Sequence, residues 1–410
     1  MLKKFFGSDL GKGSFILFIT INAFNFLNFL FHFAMGRMLG PVDYGTLAVL
    51  MSIIYIYSIP SEAIQSLISK YTSTFNSKKE YGKIKYLILK SLNKSLVFSF
   101  VLFCFLAIFS VWLSNFLDIS YWLIILINVF IFVSFLSPIV RGSLQGKKQF
   151  KELGISLVVE SLIKLVLAII FVLLGLKIVG ATFGLLIGAY IALLIGFYFN
   201  KDVLNKSKIK TEFNNIYSKS FTYFVVMFIV FLAFGIDVIL AKRFFSPEIA
   251  GQYAVVSMIG KIIFLGTSAI GKAMFPLTSE KDGNKNESYK IFLKSFKIIF
   301  ILCFVACICF FIFPKLIIWI LYGSEYLTLS NYLIYLGVSF SFLAFTNLTL
   351  IYGLSINKIK HSFILFFPLI VEIILLFVFN SSIFKFILTF MFCNIVIFIF
   401  SLLFLRKWIK

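Results

Sequence analysis

Several ionisable side chains fall inside long apolar runs: Lys94, Lys164 and Lys261, with Glu62, Glu160, Asp237, Glu372 and His32. A charge at mid-bilayer costs about 3 kcal/mol on insertion scales, so each is a candidate for function. Lys261 lies near the middle of its run, too deep for easy snorkelling, and is expected to face a central path as a cation. The alternative is a structural pairing with a carboxylate. Glu160 and Lys164 stand at i, i+4, on one helix face, where they are expected to neutralise each other or to open when an anion arrives. His32, Glu62, Asp237, Glu372 and Glu160 are the candidates for carrying a proton or a sodium ion. Histidine titrates near neutral pH, and burial brings carboxylates towards that range. Asp237 is near a polar helix end, where Lys242 or Arg243 is its expected partner. Asn22, Asn25 and Asn28 recur every third residue, so one slowly drifting polar face results, fit for lining a hydrated path or for joining helices.

Enzymatic chemistry finds no support. The two histidines, His32 and His361, are far apart, and no nucleotide-binding or metalloprotease motif occurs. Cys303, Cys307 and Cys309 share an apolar run without the accompanying His or acid of a zinc site, so they read as small apolar filler. No metal or organic cofactor is expected. No loop is long enough for a nucleotide-driven motor, which leaves an ion gradient or the substrate's own gradient as the driving force.

The elements that must position these residues are membrane spans. The chain is 61% hydrophobic and 13% charged, with 56 Phe and a mean hydropathy of +1.05. A soluble domain carries about 25% charged residues, so this composition predicts an all-α integral membrane protein. Twelve helices are predicted, over 14–36, 46–69, 88–113, 120–140, 153–175, 178–199, 218–241, 250–272, 292–313, 330–351, 361–379 and 383–404. The first, although preceded by lysines, is too long and too rich in Asn for a signal peptide and reads as an uncleaved span. Of the 38 Lys and Arg, 29 fall on one side of this arrangement, which predicts that both termini are cytoplasmic. The net charge of +22 is scattered over these loops, so it does not form the basic face that nucleic acid would need.

An internal repeat divides the chain. An offset of 206 residues pairs Arg37 with Arg243, Pro41 with Pro247, Gly45 with Gly251, and Ala48–Val49 with Ala254–Val255. A second echo sets Arg141–Phe150 against Tyr352–His361. The predicted organisation is a six-helix half over 1–199, a cytoplasmic linker over 200–217 and a second six-helix half over 218–410. An even number of spans per half gives parallel repeats, the arrangement of one class of secondary transporter.

The segments GRMLGPVDYGTLAV, RGSLQGKKQF and DVILAKRFFSPEIAGQYAVVSMIGK resemble the bacterial polysaccharide flippase family. Its superfamily also holds the multidrug and toxin extrusion exporters and the lipid II flippase. The resemblance implies a V-shaped pair of six-helix bundles in the bacterial cytoplasmic (inner) membrane. It also implies transport of oligosaccharide repeat units, such as O-antigen or capsule, on an undecaprenyl diphosphate carrier, from the cytoplasmic to the periplasmic leaflet. Lys261, Arg37, Arg243, Lys164 and Asn25 would then bind substrate, the arginines through bidentate contacts to phosphate. The implied partners are the lipid-linked oligosaccharide, membrane lipids, a polysaccharide polymerase and a chain-length regulator. An exporter of small amphipathic cations is the alternative, which would call for net acids where a flippase calls for net cations. A membrane glycosyltransferase or polymerase would need a large outer loop with paired acids or arginines, whereas the longest predicted outer loops are about ten residues.

Overall fold

Lipid offers no partner for a backbone amide, so apolar runs of this length must close their hydrogen bonds internally, and helices result. A computed structural model describes residues 9–211, 216–280, 285–356 and 366–409, and among these no strand occurs. The first part of the chain forms α1 (Asp9–Tyr57), α2 (Ile59–Ser77), α3 (Tyr81–Leu117), α4 (Tyr121–Asn128), α5 (Phe130–Gly146), α6 (Phe150–Phe171), α7 (Lys177–Phe199) and α8 (Lys201–Leu204). The rest forms α9 (Ile216–Phe244), α10 (Pro247–Glu280), α11 (Lys285–Ile312), α12 (Pro314–Tyr322), α13 (Leu333–Ser355), α14 (Phe366–Val378) and α15 (Ile383–Ile409).

Nine apolar helical runs among the described residues are long enough to cross a membrane. Two of them, Ile19–Ser77 at 59 residues and Phe150–Phe199 at 50, far exceed the roughly 20 residues of one crossing and are each interrupted. With the shorter α14, whose predicted start at residue 361 lies outside the described residues, the chain provides about twelve spans. Breaks in the first run differ from expectation. The predicted turn after residue 36 is a kink inside α1, made by Gly40 at φ 72°, a left-handed value that a residue with Cβ adopts at a cost. The predicted helix 46–69 is instead divided at Ser58, because Pro60 has no N–H to continue the ladder and opens α2. In the second run the interruption is a single π turn, Val172–Leu176.

Contacts group the residues into two compact units, Met1–Leu39 with Tyr57–Ser220 and Gly40–Ile56 with Phe221–Lys410. In the first unit, Ile68, Ile84, Leu87, Ile88, Ile139 and Val203 form a buried cluster. Val203 comes from α8, so the segment after α7 starts as part of this packing, and Ile209 N–H donates to the Gly82 carbonyl at 3.1 Å. One face of α3 (Phe98, Val101, Phe105, Ile108, Trp112) is exposed, the character of a surface meant for lipid. In the second unit α13 is buried on nearly every side from Leu343 to Gly353, packed between α10 and α15.

The kinked segment after Gly40 is seated in this second unit at the repeat's own glycines. A Cβ on Gly45 would stand 2.7 Å from the Gly251 Cα, and a Cβ on Gly251 would overlap the Pro41 carbonyl. Two helices can cross this closely only where side chains are missing. Around the crossing, the Tyr44 and Tyr322 hydroxyls are 3.3 Å apart, and Lys242 Nζ donates to Thr46 Oγ1 at 3.2 Å.

Candidate functional site

Two clusters of polar groups, one in each unit, gather half of the candidate site residues: Asp237, Lys261 and Glu372 in the second unit, Glu160 and Lys164 in the first. In the second unit Asp237 of α9 is fully buried and accepts three hydrogen bonds from one face of α10. Tyr253 donates its hydroxyl at 3.1 Å, Ser257 donates to the same oxygen, and Lys261 Nζ donates to the other oxygen at 3.0 Å. The ammonium also stands over the rings of Phe234 and Phe340, at 5.1 and 5.5 Å. Lys261 is therefore not the cavity-facing cation expected from its depth. It is 2% exposed and is held by a carboxylate. The cation that reaches Asp237 is Lys261, not Lys242 or Arg243. On a helix the neighbours of a residue are three or four positions away, and 242 and 243 miss that spacing.

Glu372 of α14 is fully buried close to this cluster. Asn394 Nδ2 approaches Glu372 Oε1 at 3.4 Å and also donates to the Phe390 carbonyl at 3.0 Å. Glu372 Oε2 and Asn394 Oδ1 have no hydrogen-bond partner. Two buried acceptor oxygens without donors are costly unless a proton or a cation joins them.

In the first unit the expected Glu160–Lys164 couple is part of a wider arrangement. Glu160 is ion-paired to Arg141 of α5, and Lys164 Nζ donates to Asn28 Oδ1 of α1 and lies over the Phe31 ring at 4.5 Å. Asn28 is held in turn by its bond to the Phe24 carbonyl at 2.8 Å. Helical side chains tilt towards their own N-terminus. Arg141 thus points away from the α5–α6 turn and Glu160 points back towards it, so the two meet. Lys164 is buried, and among the described residues no carboxylate lies within ion-pair distance of it. The turn carrying both residues is pinned from behind. At Gly188 of α7 a Cβ would come within 2.7 Å of the Glu160 carbonyl and 2.9 Å of the Lys164 nitrogen.

Arg37 is exposed one turn before the kink, its guanidinium 5.0 Å above the Phe33 ring, and Arg243 is exposed in the last turn of α9. Asn25 is exposed, Glu62 is half-buried in the first turn of α2, and His32 is buried edge-on to Phe31. Sequence reasoning missed Arg141, which lies just past the predicted end of the helix 120–140, and Asn394. It also missed Tyr253 and Ser257, although 253, 257 and 261 follow one another at i, i+4, i+8 and mark one helix face. Among the described residues no group of His, Cys, Asp and Glu is arranged to hold a metal.

This architecture is shared with known transporters. An inward-facing multidrug resistance MATE family transporter of the MOP superfamily matches with a TM-score of 0.77 at 16% identity, over 93% of this chain and 94% of the other. A MATE protein crystallised with MaL6 matches at 0.72 and 16% identity, covering 97% and 96% of the two chains. A MOP superfamily transporter from Pyrococcus furiosus, described by the reversed polarity of its binding pocket, matches at 0.71 and 16%, covering 97% and 95%. The fold is thus the one these solved structures share. No curated protein matches the sequence. The sequence model of the polysaccharide biosynthesis protein family matches residues 10–282, and the chain belongs to that family.

Proposed function

We propose that this protein flips undecaprenyl-diphosphate-linked oligosaccharide repeat units, destined for O-antigen, capsule or a similar surface polymer, across the bacterial cytoplasmic membrane. The flip would proceed by alternating access, with both termini in the cytoplasm. The observation that carries this reading is Lys164, a buried cation of the first unit held by a neutral carbonyl and a ring rather than by a carboxylate. Such an ammonium is available to an anionic headgroup, whereas an exporter of organic cations would present an acid there. Arg37 in the first unit and Arg243 in the second would each bind phosphate near its own helix end, and Asn25 would face the sugar. The polymerase and chain-length regulator would act on the flipped product.

The test is mass spectrometry of lipid-linked oligosaccharide in the native bacterium, with and without the chain, beside an assay of surface polymer. Loss of the protein is expected to leave the carrier-linked unit accumulating inside while the polymer disappears. Lys164→Met should cut polymer output at least about tenfold, the effect of one lost charge-assisted contact. Unchanged carrier with greater sensitivity to cationic dyes would favour an exporter instead.

Coupling to a proton or sodium gradient is assigned to Glu372, whose buried Oε2 has no hydrogen-bond donor and would be satisfied by a proton or an ion. Asp237 is already saturated by three donors and is a poor carrier. In proteoliposomes, Glu372→Gln is expected to abolish the acceleration of flipping by an imposed pH or sodium gradient, since the amide supplies its own donor. A variant that still responds to either gradient would remove Glu372 from this role.

A further inference from the structure

We propose that Glu160 is a resident stand-in for the substrate's anion, and that it makes the site in the first unit select diphosphate over singly charged phosphate headgroups. This deepens the flippase reading and rests on it. The cluster holds two cations, Arg141 and Lys164, and one carboxylate. Glu160 meets the guanidinium through a single Nη2 contact, and the buried Arg141 Nε is left with no acceptor. Lys164 donates to the next best partner, the Asn28 side-chain carbonyl. Both cations are therefore under-satisfied while Glu160 is in place.

A diphosphate esterified at both ends has two charges and several oxygens. It can take Arg141 side-on through Nε and Nη while reaching Lys164, matching two cations with two negative charges. The displaced carboxylate has an exit, since its side chain is 18% exposed. A phosphodiester with one charge, such as an ordinary phospholipid headgroup, offers too little to replace an ion pair already made. Glu160 thereby keeps the site closed to the bulk lipids that outnumber the substrate, and selectivity arises from competition inside the protein.

The experiment uses the full chain in nanodiscs and two soluble probes that differ by one phosphate, farnesyl-phospho-N-acetylglucosamine and farnesyl-diphospho-N-acetylglucosamine. The wild type is expected to prefer the diphosphate by about tenfold or more. Glu160→Gln should bind the monophosphate probe about tenfold more tightly and lose most of the preference. Glu160→Asp keeps the charge on a shorter arm and should fall between the two. A preference that neither variant moves, while Arg141→Gln still weakens diphosphate binding, overturns the stand-in role and leaves the flippase reading intact. Wild-type diphosphate binding by both Arg141→Gln and Lys164→Met overturns the two together. A monodisperse elution profile and a wild-type melting temperature for each variant separate these outcomes from misfolding.

Discussion

Lys261→Met is expected to lower the melting temperature of the purified protein sharply, and Asp237→Asn in the same chain to restore most of it. Removing the lysine leaves a fully buried carboxylate with only Ser257 and Tyr253 as donors. Breaking one side of such a pair costs about 3–5 kcal/mol, whereas replacing both charges is often near neutral. The rings of Phe234 and Phe340 already line the ammonium's place, so a methionine of similar length can fill it. Cys303 and Cys393 are buried in the same unit and report the transition through a thiol-reactive dye. A double variant no more stable than Lys261→Met would show that the pair does not act as a unit.

Gly251→Ala should unseat the kinked segment. Its added methyl would lie against the carbonyl of Pro41, and neither partner is a side chain that can turn aside. Overpacking of this kind costs about 1–3 kcal/mol even where neighbours can adjust, and here the obstacle is backbone. Hydrogen exchange read by mass spectrometry on peptides covering residues 40–56 is expected to show lost protection in this variant, with transport reduced in parallel. Protection equal to the wild type would mean that the crossing tolerates a side chain. Gly45→Ala should act in the same direction, since its methyl would meet the Gly251 backbone.

Much of this arrangement is legible in the chain. Composition and run length announce the helices, and the offset of 206 residues identifies the two turns whose glycines prove to touch. What sequence spacing cannot supply is which faces of different helices meet. Asp237 looked like a partner for the charges just after it, yet a helix turns those away. Its donors come from the following helix, where Tyr253 lies at about the same depth beyond the α9–α10 turn. Ser257 and Lys261 follow on that face, and the long lysine stem runs back towards the helix N-terminus to reach the acid. Arg141 was hidden for the opposite reason. Its neighbours Lys147 and Lys148 made it look like loop, although α5 continues to Gly146. Apolar helices carry almost no signal about which face is turned inwards, because lipid and protein interior ask for the same residues.

The seat of the kinked segment also bears on how the protein is made. Residues 40–56 leave the ribosome some 200 residues before Pro247 and Gly251, the groups they will rest against. At about 5–20 residues per second, that is an interval of about 10–40 s. Throughout it, Tyr44 and the bare backbone at Gly45 lack the Tyr322 hydroxyl and the Gly251 backbone that they meet in the finished chain. A nascent chain arrested before Pro247 should expose this segment to labelling or proteolysis, and one released after α13 should protect it. Translation speed across the middle of the message is therefore expected to change how much of the chain reaches its folded form.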